Sequence, residues 1–85
     1  VIFSKSKYII VETPMPVPMV FSELQQHADV VYRMFPNCSV LGAGFCHIVD
    51  DKYVCYGESV SLNVKSRGEA DSKVLNSLLG AANEG

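Results

Sequence analysis

Residues 9–11 read Ile-Ile-Val, an unbroken β-branched run that follows Tyr8. A strand with one wet face alternates apolar and polar residues, whereas a run without alternation suits a strand covered on both faces. A chain of 85 residues buries only about two-thirds of its unfolded surface, so such a strand belongs to one modest core. The reading is a single domain over residues 1–80, with 81–85 a flexible tail beyond the helix stop at Gly80.

The rest of the chain supplies the cover. Thr13-Pro14-Met15-Pro16-Val17-Pro18 loses a backbone donor at each proline and reads as a stiff connecting loop. Ser22-Glu23-Leu24-Gln25 fits a capping box, which predicts a helix with Phe21, Leu24, Ala28, Val31, Tyr32 and Phe35 on one face. Pro36 and Asn37 end it. On that wheel His27 falls at the margin of the apolar stripe, beside Met34 and away from Asp29. Residues 38–49 and 52–56 read as strands joined at Asp50-Asp51, a pairing that sets Cys46 opposite Cys55 and His47 opposite Val54. The small residues Gly42, Ala43 and Gly44 permit a bulge or the close approach of another backbone. Val60, Leu62 and Val64 alternate with polar residues as in a half-buried strand. Ser66-Arg67-Gly68-Glu69 is a second capping box, opening a helix whose inner face is Ala70, Val74, Leu75 and Leu78. The expected fold class is α/β: a small mixed β-sheet packed by two helices, in the order β-α-β-β-(β)-α.

Charge narrows the functions. Seven Lys and Arg against nine Asp and Glu give a net charge of −2, which argues against a general nucleic-acid or anionic-membrane binder. A base-stacking platform of Phe45, Tyr53 and Tyr56 fails as well, because the hairpin sends Tyr53 to the opposite face. No apolar run approaches the ~20 residues of a membrane span, and no leader is expected, so a cytoplasmic protein is the default. Three cysteines make no disulfide scaffold. Zinc sites bring pairs such as C-x-x-C, while Cys46 and His47, adjacent in a strand, point to opposite faces, so neither a metal nor another cofactor is expected. Serine-nucleophile, phosphate-loop and dinucleotide motifs do not occur. What remains is His27, whose imidazole ordinarily titrates near pH ~6.5, Lys7 at a strand start, and the donor-rich turn Gly57-Glu58-Ser59-Val60-Ser61, suited to an anion.

Taken in order, Lys7-Tyr8-Ile9-Ile10-Val11, His27-Ala28-Asp29-Val30, Leu41-Gly42-Ala43-Gly44, Asp51-Lys52 and Tyr56-Gly57-Glu58-Ser59 resemble the Janus/phosphohistidine phosphatase family. That family carries a Lys-Tyr strand, a His-Ala-Asp helix, a Leu-Gly-Gly-Gly strand and a Tyr-Gly-x-Ser turn, and the resemblance spans residues 7–67. It implies a metal-independent phosphatase acting on phosphohistidine or a related phosphoramidate, with a phosphorylated protein or small phosphoramidate as partner. By the same resemblance His27 is the catalytic residue, as general base on water or as direct phosphoryl acceptor. Lys7, Ser59, Val60 and Ser61 hold the phosphate, and Arg67 joins them in place of a family histidine. Phe45 stands where the family has arginine, Asn63 stands where it has glycine, and a final strand is absent. Those departures carry the rival expectation: a non-catalytic module of the same fold that binds a protein or phosphopeptide, or forms a homodimer through an open sheet edge.

Overall fold

The computed structural model describes residues 5–80, and the expected tail at 81–85 lies outside them. Six strands and two helices follow one another as β1 (Ser6–Glu12), β2 (Pro16–Ser22), α1 (His27–Met34), β3 (Ser39–Val49), β4 (Lys52–Tyr56), β5 (Glu58–Ser59), β6 (Val64–Lys65) and α2 (Glu69–Leu78). Four form one sheet in the order β2-β1-β3-β4, and β5 with β6 forms a short separate ribbon.

The Ile-Ile-Val run lies in β1, and Tyr8 through Val11 are fully buried. Because alternate residues leave opposite faces, this one strand seeds two cores. Tyr8 and Ile10 pack with Cys46, Cys55 and Leu75 beneath α2. Ile9 and Val11 pack with Phe21, Val30 and Ala43 on the other face, joined by Val31, Phe35, Leu62 and Val64. The sheet is thus sandwiched between α2 and a second layer built of α1 and the β5–β6 ribbon.

The expected class, a small sheet packed by two helices, is the observed one. The sheet, however, is antiparallel throughout rather than mixed. It also gains a strand where a loop was expected. After a turn containing a cis Thr13–Pro14 bond, residues 16–22 pair along the whole of β1. Pro16 and Pro18 fit because β2 is an edge strand: alternate residues turn their N–H groups the same way, so both missing donors fall on the outer side.

Neither capping box forms. Ser22 ends β2, and its Oγ accepts the Leu24 N–H at 3.1 Å, a local turn that delays α1 to His27. Leu24 and Tyr32 are consequently exposed, and the inner face of α1 is His27, Val30 and Val31. At α2 the Ser66 hydroxyl accepts the Gly68 N–H, while the Asp71 carboxylate reaches back to the Arg67 N–H at 2.9 Å. The buried face of α2 is Asp71 and Leu75 with Val74 beside them, and both Ala70 and Leu78 are exposed.

The β3–β4 hairpin follows the expected register, Cys46 opposite Cys55 and His47 opposite Val54, with Asp50 and Asp51 both at positive φ in the turn. Residues 60–63 do not continue a strand. They form a turn between β5 and β6, with Asn63 in the left-handed region and Val60 85% exposed.

Candidate functional site

The site depends on Gly44. A side chain there would stand 2.5 Å from the Tyr56 carbonyl oxygen, so only glycine lets the chain leaving β4 cross directly over β3. Gly57, at φ 79°, makes that crossing above the Phe45 ring and turns the chain back. The reversal carries residues 57–61 to the start of α1. The bond from Ala28 N–H to the Ser61 hydroxyl at 3.1 Å holds them there, while Ser66 N–H to the Gly57 carbonyl at 2.9 Å closes the ribbon behind them. Ser61 therefore satisfies an early helix N–H that Gln26, the helix cap, leaves without a side-chain partner.

Between these elements lies a cleft of about 420 Å³ lined by Lys7, Gln26, His27, Phe45, Gly57, Glu58, Val60 and Ser61. His27 forms its deep end. The ring is 3% exposed, more buried than its place on the helix wheel suggests, and it meets the rings of Phe21 and Phe45 edge-on. Its Nε2 lies 2.8 Å from the Gly44 carbonyl oxygen. A carbonyl can only accept, so Nε2 carries the proton and, in the neutral ring, Nδ1 carries the lone pair. Burial favours the neutral form and pulls the pKa below the ordinary histidine value; the Gly44 bond opposes this, and the Lys7 charge adds to it.

Lys7 donates to the Gln25 carbonyl at 2.6 Å, which fixes its ammonium beside the turn before α1 and leaves two further N–H donors. Lys7, His27, Val60 and Ser61 thus meet in one cleft, as the sequence reading grouped them. Ser59 does not line it: its hydroxyl is buried under the turn, accepts the Leu62 N–H and lies 3.5 Å from the Ser61 hydroxyl. Arg67 does not line it either, because its guanidinium is held by Asp71 at 2.6 Å at the start of α2. Gln26 is a cleft residue that the sequence did not single out; its only clue was adjacency to His27. Glu58 stood within the turn named as suited to an anion, and it brings a carboxylate to the cleft instead.

A second depression, about 690 Å³, runs between β4 and α2 and is lined by Lys52, Tyr53, Cys55, Ser72 and Asn76 among others. Among the described residues, no three His, Cys, Asp or Glu side chains cluster as metal ligands would. No helix among them is long and apolar enough to cross a membrane. Searches of protein-family models, curated proteins and solved structures find no match to this chain.

Proposed function

We propose that the protein is a metal-independent phosphatase acting on phosphohistidine or a related phosphoramidate. The observation that carries the reading is a buried His27, its Nε2 held by the Gly44 carbonyl, sharing with Lys7 a cleft open to solvent; burial lowers its pKa and favours the neutral ring. Phosphoryl transfer asks mainly for positioning and charge stabilisation. Lys7, with two donors to spare, meets the phosphoryl oxygens, and the turn at Val60 and Ser61 closes over them. The Nδ1 lone pair takes a proton from the water that attacks phosphorus, or takes the phosphoryl group itself. In either course the substrate P–N bond breaks, the departing imidazole keeps the electron pair and gains a proton, and water supplies the oxygen of the released phosphate. We place the protein in the cytoplasm, where its thiols at Cys38, Cys46 and Cys55 stay unpaired.

The second reading, a phosphopeptide-binding module without turnover, draws on Phe45, which puts an apolar ring in the cleft wall where the family resemblance expects a cation. Phosphate release from a phosphohistidine-carrying protein, measured with chelator for the native chain and His27→Ala, decides between them. Turnover by the native protein that falls at least ~100-fold in the variant is expected of an acid–base or nucleophilic histidine. Binding without turnover by a folded native protein contradicts the enzyme and leaves the module.

A further inference from the structure

Phe45 faces Lys7 across the β1–β3 register and forms one wall of the cleft. Its ring also reaches past the cleft: the Lys5 ammonium stands 4.5 Å from the ring centroid. Lys5 lies just before β1 and two residues from Lys7, on the same side of the chain by strand alternation. Among the described residues, little else holds it. Its ion pair with Glu23 is 3.8 Å long, with both side chains about half exposed, and such pairs exchange readily with another anion. The wall that is apolar at Phe45 therefore carries a cation at each end, Lys7 inside the cleft and Lys5 outside it.

The two lysine stems leave the chain about 6.6 Å apart, twice the rise per residue of a strand. An extended peptide presents its own alternate side chains at the same spacing. A diphosphate, whose terminal oxygens also bridge two lysine ammoniums, is the competing occupant that the pyrophosphate control separates from a peptide. Resting on the phosphoryl-binding reading of the cleft, we propose that Lys5 forms a second anion subsite. It selects phosphorylated peptides that carry an acidic residue two positions from the phosphorylated one, with Phe45 as the apolar floor between.

The test uses two peptides bearing a non-hydrolysable phosphonate isostere of phosphohistidine, flanked at both second positions by Glu or by Gln. Inorganic phosphate and pyrophosphate serve as controls. Dissociation constants are measured at low salt for the native protein, Lys5→Met and Glu23→Gln; both changes are on exposed side chains. The Glu peptide is expected to bind the native protein about threefold more tightly than the Gln peptide, the scale of one exposed ion pair. Lys5→Met abolishes the preference and leaves inorganic phosphate binding unchanged, whereas Glu23→Gln, which removes the competing carboxylate, widens it. Equal binding of the two peptides to the native protein overturns the subsite, as does a preference that survives Lys5→Met. A Lys5-dependent gain for pyrophosphate alone overturns it in favour of a diphosphate site. Failure of every probe, inorganic phosphate included, contradicts the cleft reading itself and the subsite with it.

Discussion

Asp71 shows how one residue can fix several others. It is fully buried, yet its carboxylate accepts the Tyr8 hydroxyl, the Arg67 N–H at 2.9 Å and the Arg67 Nε at 2.6 Å. Burial beside that carboxylate holds the Tyr8 phenol well above the usual tyrosine range, so it stays a donor. The network ties the centre of β1 to the start of α2. It also explains Gly42, where any Cβ would fall inside the space of the Asp71 carboxylate. Asp71→Ala removes the acceptor shared by Tyr8 and Arg67, leaving the Tyr8 hydroxyl only the Ser66 Oγ at 2.7 Å, and should cost about 3 kcal/mol in denaturant unfolding. Gly42→Ala, an overpacking, should cost about 2 kcal/mol alone and clearly less in the Asp71→Ala background. Equal costs in both backgrounds would contradict the contact. Sequence patterns pointed to close packing at residues 42–44 but to a backbone neighbour. At Gly44 the neighbour is backbone, and at Gly42 it is a carboxylate that a helix wheel weighted by apolarity assigned to no inner face.

At the scale of elements, the edge strand β4 meets helix side chains where another strand could pair. The Tyr53 N–H donates to Asn76 Oδ1 at 2.8 Å, Asn76 Nδ2 donates to the Tyr53 carbonyl at 3.2 Å, and the Cys55 N–H donates to the Ser72 hydroxyl at 2.9 Å. Asn76 reproduces the paired donor and acceptor of a neighbouring strand, which blunts that edge. The opposite edge, β2, lacks donors at Pro16 and Pro18. Asn76→Leu should expose both Tyr53 groups and shift the protein toward dimers, seen as a concentration-dependent mass in sedimentation. A strictly monomeric variant would show that the asparagine does not guard the edge. β1, β3, β4 and the hairpin register were legible because apolar pattern and turn chemistry agreed there. β2 was not, since proline weighs against a strand until the strand is known to be an edge. The Val60–Val64 alternation misled for a related reason: apolar residues spaced by two also arise in a turn that drops Leu62 and Val64 onto the core and leaves Val60 outside.

For the molecule as a whole, the cleft forms where the layers meet: β1 and β3 from the sheet, the first turn of α1, and the chain crossing Gly44 into the ribbon. The sequence made His27, Lys7 and the 59–61 turn candidates by residue type and order. The crossing that brings them together depends on a backbone contact at Gly44 that no periodicity reveals, and Arg67 was misplaced because its partner, Asp71, lies on its own helix-start turn. The proposed chemistry stands on a neutral His27, protonated at Nε2, in a cleft that accepts a phosphoryl group. Long-range proton–nitrogen NMR of the His27 ring across pH, with and without inorganic phosphate, tests this. The Nε2–H form is expected at neutral pH, with a pKa below the ordinary ~6.5. Phosphate should raise that pKa, because a bound anion favours the imidazolium. A ring protonated at Nδ1, or one whose titration phosphate leaves untouched while the protein stays folded, would contradict it.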